Sequence, residues 1–338
     1  MSTVTVVGAG TWGTTFAMVC TDAGATTRLW ARDPISARRL REERVNPDYL
    51  PGFTLPTAVE VPEDLAAALR DADVVALAVP SNGTRSAIEA CRDHIPGGAV
   101  VLSLAKGIEP GTCLRMSEVI AQAGGIEPAR IAVLTGPNLA HEVAARQPSA
   151  AVVAAGTADA ARAVAAACST PAFPITVESD VVGCELGGAV KNVVAVCVGM
   201  AHGLGMGDNT KSSLITRGLA ETIRLGVALG ADPATFSGLA GVGDLIATCM
   251  SPRSRNRAVG VELGRGRPVA EVLAEHRQVA EGVISCEAIL ALAQRAHVDM
   301  PIVEAVVAVV HDGQLPVLIG EALMARERKP EKTPPKRR

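Results

Sequence analysis

The sequence predicts an α/β chain, with a mostly parallel sheet in its first half and an all-helical second half. Three observations lead there. Short apolar runs alternate with helical patterns up to about residue 179, the pattern of parallel strands joined by crossover helices. From Val181 onward, long Ala/Gly/Val/Leu segments run with almost no strand alternation. The first strand passes directly into Gly8-Ala9-Gly10-Thr11-Trp12-Gly13, a G-x-G-x-x-G spacing that has mechanical meaning between a strand and a helix.

The elements follow in order. Residues 3–7 are β-branched throughout and form the first strand. Gly8 permits the tight turn, Gly10 lets the backbone approach a pyrophosphate, and Gly13 lets the next helix close on the sheet. That helix, from 11 to about 23, aims its N–H groups and positive dipole end at the phosphates. Its apolar face is Trp12, Phe16, Val19 and Cys20. The motif reads as a dinucleotide site in a Rossmann-like domain. An ordinary strand-turn-helix is the alternative, since 33 of 338 residues are glycine. Strands are predicted at 26–30, 73–79, 99–104, 131–134, 150–155 and 173–177. The run 73–79 is apolar nearly throughout, as a doubly covered strand should be. A helix is predicted from about 113 to 123. In the second half, 180 to about 206 is a long helix, with Gly183, Gly187 and Gly188 allowing close packing. Further helices are predicted at 212–229, 268–274, 286–296 and 303–310. The domains are therefore 1–179, dinucleotide-binding, and 180–325, helical. Residues 326–338 form a tail with seven basic residues, two acids and three prolines. It reads as a disordered end or as a polyanion-binding tail.

Composition narrows the function. A length of 338 residues suits two domains. Hydrophobic residues make up 48% of the chain, which supports a large core, and aromatics only 2%, so that core is built from Ala, Val, Leu and Ile. The net charge of -3 gives no electrostatic reason for a nucleic-acid partner. No apolar run is read as reaching the roughly 18 residues a membrane span needs, so no membrane insertion is expected. The N-terminus enters a strand at once, without a basic leader. The eight cysteines form no C-x-x-C pair, and they read as small buried hydrophobes in a reducing cytoplasm.

Cofactor choice turns on the end of the second strand. Sites that prefer NAD place an acid there, and an arginine instead admits a 2′-phosphate. Here Leu29-Trp30-Ala31 is followed by Arg32 and Asp33. Arg32 favours NADP through its planar fork. Asp33 keeps NAD open as a ribose acceptor. Both are also plausible as plain loop residues before Pro34.

Candidate chemistry lies at strand ends and in the helical half. Lys106 sits on a glycine-flanked turn after the strand at 99–104. Gly136-Pro137-Asn138-Leu139-Ala140 follows the next strand, where Asn138 is placed either to cap a helix or to face the crevice. Lys191 stands alone in a glycine-rich apolar helix beside Asn192. Desolvation would lower its pKa and make it a general acid; a lysine snorkelling from a helix edge is the other reading. Asp244 lies between glycine and an apolar helix start. Ser251-Pro252-Arg253-Ser254-Arg255-Asn256-Arg257 is a dense set of donors, suited to a small phosphate or to a solvated surface.

Taken together these segments resemble the bacterial NAD(P)-dependent glycerol-3-phosphate dehydrogenases. The family's motifs occur in order as GAGTWGT (8–14), LAKGIE (104–109), GPNLAHEV (136–143), VKN (190–192), GLAGVGDLIATC (238–249), SRNR (254–257) and VAEG (279–282). The resemblance covers essentially residues 1–325. It implies cofactor contacts at Gly8, Gly10, Thr11, Trp12, Gly13, Arg32, Asp33, Tyr49, Lys106, Ala140, Arg255, Val279 and Glu281. It implies substrate contacts at Lys106, Gly136, Asn138, Lys191, Asp244, Ser254, Arg255 and Asn256, with Lys191 as proton donor and acceptor. The implied reaction is reduction of dihydroxyacetone phosphate to sn-glycerol 3-phosphate, without a metal, in the cytoplasm, for glycerophospholipid synthesis. A homodimer is an assembly open to such a chain. Two rivals are a 3-hydroxy acid dehydrogenase of the same plan and a non-catalytic dinucleotide sensor. The donor cluster at 254–256 speaks for phosphate over carboxylate, and a sensor has no need of Lys106, Lys191 and Asp244 together.

Overall fold

The computed structural model describes residues 1–275 and 280–317. The first half runs β1 (Thr3–Val7), α1 (Thr11–Asp22), β2 (Thr26–Trp30), α2 (Pro34–Glu42), β3 (Val45–Asn46), β4 (Leu50–Thr54), β5 (Val59–Glu60), α3 (Leu65–Leu69), β6 (Val74–Leu77), α4 (Thr84–Cys91), β7 (Val100–Ser103), α5 (Met116–Gly124), β8 (Ile131–Thr135), α6 (Ala140–Ala144), β9 (Ala151–Ala155), α7 (Ala158–Cys168) and β10 (Ile175–Glu178). Eight strands form one sheet in the order β10-β9-β8-β7-β6-β1-β2-β5. Neighbours are parallel except β8 and β9, which are antiparallel. The chain order reverses between β1 and β6, so a crevice opens at their carboxyl ends, where such sheets bind ligands.

Both faces of the sheet are covered, as the continuous apolar strands require. Val4, Val6, Ala76 and Leu102 face the core shared with Phe16, Leu40 and Val164. Their alternates Val7, Val75, Leu77 and Val101 pack with Ile88 and Ile120 on the other side. A hairpin of β3 and β4 stands apart from this sheet. The helix predicted from 113 begins instead at Met116. Cys113 is held at φ 62 in the preceding turn, and the Glu118 carboxylate accepts from the Arg115 N–H at 2.9 Å to fix the start.

The second half is helical: α8 (Val181–Gly203), α9 (Asp208–Ala228), α10 (Asp244–Met250), α11 (Arg255–Gly264), α12 (Val269–Glu275), α13 (Glu281–Arg295) and α14 (Pro301–Val310). α8 is the axis of this half, and its residues from Gly183 to Ala201 are all buried. By length and composition α8 could cross a membrane, contrary to the reading that no run is long enough. However, 89% of its apolar window is buried inside the protein, and it serves as a core helix. α11 lies directly against it. A Cβ on Gly199, Gly203, Gly260 or Gly264 would collide with a backbone carbonyl of the partner helix. The two halves are joined at Glu185 of α8. Its buried carboxylate accepts from Arg115 Nη1 at 2.6 Å and from the N–H and hydroxyl of Ser117 at 2.7 Å each.

Candidate active site

The glycine loop at the end of β1 is built by packing at two of its positions. Gly8 has φ +111, and a Cβ there would lie 2.6 Å from the Ala78 carbonyl. A Cβ on Gly13 would collide with the Gly8 carbonyl oxygen. Gly10 differs: its φ is -72, and a Cβ would meet nothing within 4 Å. No protein contact requires glycine there, so Gly10 keeps space clear beside the uncapped N–H groups of α1. Trp12 packs against Phe16 and Phe173, with ring centroids 6.0 and 6.2 Å away, and its buried Nε1 has no partner. An uncapped helix start beside a glycine with free space fits a dinucleotide phosphate.

The hairpin of β3 and β4 braces this loop, which the sequence reading missed. Thr11 Oγ1 donates to the Tyr49 carbonyl at 2.9 Å. Asn46 Nδ2 donates to the Ala9 carbonyl and to Thr14 Oγ1, both at 2.8 Å. Tyr49 itself is 37% exposed. Arg32 is exposed and has no hydrogen bond or ion pair among the described residues. Asp33 is the N-cap of α2. Its carboxylate accepts from the Ser36 hydroxyl at 2.7 Å and N–H at 2.8 Å, which holds its pKa below the ordinary value. Both of those bonds fall on Oδ2. Ala140 opens α6, and its carbonyl faces Thr15 Oγ1 of α1 at 3.4 Å.

The chemistry-bearing residues meet where the halves touch. Lys106 comes from the turn after β7, Gly136 from the end of β8, Lys191 from the middle of α8, and Asp244 from the first turn of α10. A π-helical turn at Leu239–Gly243 delivers Asp244. Lys106 Nζ donates to the Gly136 carbonyl at 2.8 Å and to Asp244 Oδ2 at 2.9 Å. Lys191 Nζ donates to Asp244 Oδ1 at 2.5 Å and to Thr248 Oγ1 at 2.9 Å. Thr248 lies one turn from Asp244, a helical spacing the sequence reading left unused. Burial lowers the pKa of Lys191 to about 7, with Lys106 pushing the same way and Asp244 opposing. Burial alone would raise Asp244, but the ammonium groups of Lys106 and Lys191 hold it below the ordinary carboxylate value.

Asn138 does not cap α6. The N-cap there is Leu139, and both Oδ1 and Nδ2 of Asn138 are buried without a partner. Buried amides are normally bonded, so an orphaned one beside Gly136 calls for a ligand. Gly136 itself has φ +123, with the Ala150 carbonyl 3.1 Å from a would-be Cβ.

The donor cluster separates on inspection. Ser254 is the N-cap of α11, its hydroxyl accepting from the Arg257 N–H at 3.3 Å. Asn256, expected to touch substrate, spends one of its two amide hydrogens and one lone pair of its oxygen within the protein. Nδ2 donates to Asn192 Oδ1 at 2.8 Å, and Oδ1 accepts from the Gly282 N–H at 2.9 Å. Arg255 reaches solvent, yet crowding around its guanidinium lowers its pKa, with Glu281 opposing. Glu281 accepts from the Ser81 N–H at 2.9 Å and hydroxyl at 2.5 Å, beyond the end of β6. Burial raises its pKa in spite of Ser81 and Arg255. Val279 lies outside the described residues.

Comparisons with known proteins agree with this arrangement. Residues 3–161 match the family model of the NAD-dependent glycerol-3-phosphate dehydrogenase N-terminus, and residues 180–319 that of its C-terminus. The chain is 54% identical over 327 residues to the glycerol-3-phosphate dehydrogenase [NAD(P)+] of Streptomyces coelicolor, covering 97% of each. It is 51% identical to the enzyme of the same name from Corynebacterium glutamicum, covering 98% of this chain and all of that one. The crystal structure of glycerol-3-phosphate dehydrogenase from Coxiella burnetii superposes with a TM-score of 0.91 at 33% identity, over 96% of this chain and 99% of that one.

Proposed function

The chain belongs to the NAD-dependent glycerol-3-phosphate dehydrogenase family, and from that premise we propose how its own residues carry the reaction. It reduces dihydroxyacetone phosphate to sn-glycerol 3-phosphate, reversibly, with NAD(P)H. The nicotinamide cofactor supplies the hydride. Gly8, Gly10, Thr11, Trp12 and Gly13 hold its phosphates at the start of α1. Arg32, exposed and unpaired, takes the 2′-phosphate and sets a preference for NADPH. Asp33 caps α2 through Oδ2.

The observation that carries the mechanism is the Lys106–Asp244–Lys191 cluster at the meeting of the two halves. Lys191 is the general acid: with a pKa of about 7 it keeps a transferable proton at neutral pH. Asp244 and Thr248 fix the direction of its ammonium group. Lys106 keeps a positive charge beside Gly136, where the alkoxide develops, and charge already in place costs no reorganisation. Arg255 and the start of α11, capped by Ser254, receive the substrate phosphate. Asn138 offers its free amide to the substrate's remaining polar atoms. A cytoplasmic location and a role in supplying glycerophospholipid synthesis belong to the same proposal. Oxidation of NADPH and NADH in parallel by purified protein with dihydroxyacetone phosphate tests it. Turnover with NADPH ahead of NADH is expected, and no turnover with either would end it.

A further inference from the structure

The peptide between Ala9 and Gly10 governs which way the glycine loop presents its N–H groups. It is trans, so its C=O and its N–H point to opposite sides. Little in the loop itself fixes that plane. Gly10 lies at φ -72 and ψ -175, extended backbone open to any residue, and a Cβ built on it would meet nothing within 4 Å. The Ala9 carbonyl is therefore the handle by which the fold can turn the peptide.

Asn46 holds that handle. Its Nδ2 carries two hydrogens, one for the Ala9 carbonyl and one for Thr14 Oγ1, both at 2.8 Å. Thr14 Oγ1 closes a triangle by donating to the same carbonyl at 3.4 Å. A carbonyl only accepts, so the amide must present its nitrogen here and not its oxygen. Asn46 and Thr14 are 6% and 2% exposed. Both hydrogens of the amide are spent inside the protein, so Asn46 has no donor left for a ligand.

The hairpin aims Asn46 at the loop. Its register shifts between Val45 and Asn46, and a bulge of that kind re-aims a side chain. The Asn46 carbonyl accepts from the Tyr49 N–H at 3.3 Å. Just before it, Arg44 takes φ 58, and its Nη2 donates to the Pro56 and Val59 carbonyls, the second at 2.8 Å. The hairpin is thus fastened to the edge strand β5 on one side and to the glycine loop on the other.

We infer that Asn46 is a positioning residue for the cofactor: by holding the Ala9 carbonyl on the hairpin side, it turns the Gly10 N–H toward the diphosphate. This role rests on the dinucleotide site proposed above. Without the amide the carbonyl loses its donor, and the freed peptide can turn its negative oxygen to where the phosphates sit. An anion then meets an acceptor in place of a donor.

The test compares wild type with Asn46→Ala, Asn46→Asp and Thr14→Val. Fluorescence titration gives the affinity for NADPH, which carries the diphosphate. Competition gives the affinity for adenosine 2′-monophosphate, which lacks it. Thermal melts and the KM for NADPH are measured alongside. Asn46→Ala should weaken NADPH binding by roughly tenfold, the scale for a lost hydrogen bond, and leave adenosine 2′-monophosphate binding nearly unchanged. The loss should appear in the KM for NADPH, with kcat largely kept once NADPH saturates. Asn46→Asp is isosteric but only accepts when ionised, so it should weaken NADPH binding further, and it supplies the reading if the alanine variant does not fold. Thr14→Val keeps the bond from Asn46 to Ala9 and should lose less than Asn46→Ala. A lower melting temperature with unchanged NADPH affinity would make Asn46 a purely structural residue and overturn the inference, as would equal losses for the two ligands. The titrations need no turnover, so they decide the matter even if the proposed reaction fails, whereas wild type that bound no NADPH would overturn the dinucleotide site as well.

Discussion

Lys106 and Lys191 bond opposite oxygens of one buried carboxylate, Oδ2 and Oδ1 of Asp244. Two cations on one anion leave a net positive charge in a site for a phosphorylated substrate. The arrangement also divides the labour, because the deeper lysine is the one whose pKa is brought to about 7.

The first prediction follows from that value. Reduction needs Lys191 protonated, so kcat should fall as pH rises through about 7. Oxidation of sn-glycerol 3-phosphate needs it neutral, so the reverse rate should rise through the same pH. Lys191→Ala should lower kcat by about 10²- to 10⁴-fold, the range for a positioned proton donor, and flatten both profiles. Initial rates in both directions from pH 6 to 9 check this; parallel profiles would remove Lys191 from the role.

A second prediction concerns Asn138, whose free amide both donates and accepts. A hydroxyl suits such a group, and a site built around a hydroxyl rejects an analogue lacking it. The wild type should therefore discriminate strongly between dihydroxyacetone phosphate and the analogue with methyl in place of hydroxymethyl. Asn138→Ala should erase most of that difference in kcat/KM. Discrimination that survives the change would place the hydroxyl elsewhere.

Much of this was legible in the sequence, and for physical reasons. Lys191 stood out because a charge inside an apolar, glycine-rich helix needs a cause. The glycine loop was legible from its place between strand and helix. The antiparallel setting of β9 was not, since a strand buried on both faces reads Ala-Val-Val-Ala-Ala in either direction. The brace of β3 and β4 was hidden because it pairs two residues with five, through Pro51 and Gly52. The pairing of Asn256 with Asn192 was not legible, because donors close in sequence looked like one cluster. The fold turns its amide inward to Asn192, whereas Arg255 reaches solvent. The run of α11 beyond its start was not read, for a related reason: its glycines weaken the helical pattern, yet they are what lets it lie against α8.

The third prediction is one of stability. Glu221 of α9 is 3% exposed, and its carboxylate accepts from the Ile302 N–H at the start of α14. Burial raises its pKa from 4.5 to about 7 in spite of those bonds. An acid raised on folding stabilises fully below its unfolded pKa and loses that contribution as pH climbs to the folded value. Glu221→Gln removes the dependence. It should gain on the wild type between pH 4.5 and about 7, by on the order of 1–3 kcal/mol at pH 8. Denaturant melts at pH 5 and pH 8 measure the difference; an equal offset at both would show that Glu221 does not titrate in this window.

The fourth prediction decides the substrate class. Arg255 opens α11, and an arginine at a helix start can meet a phosphate with a planar fork of donors as well as the helix N–H groups. The carboxylate that opposes the effect of burial on it is Glu281, which itself bonds Ser81, so the guanidinium remains available to an anion. Losing a charge-assisted pair in a closed site should cost roughly 2–4 kcal/mol of transition-state binding. Lysine should rescue only part of it, being a point charge without the fork. The measurement compares dihydroxyacetone phosphate with unphosphorylated dihydroxyacetone in wild type, Arg255→Ala and Arg255→Lys. The phosphorylated reaction should collapse in the alanine variant and the unphosphorylated one should change little. Equal losses on both substrates would mean that Arg255 serves the cofactor or the fold, and the phosphate would need another host.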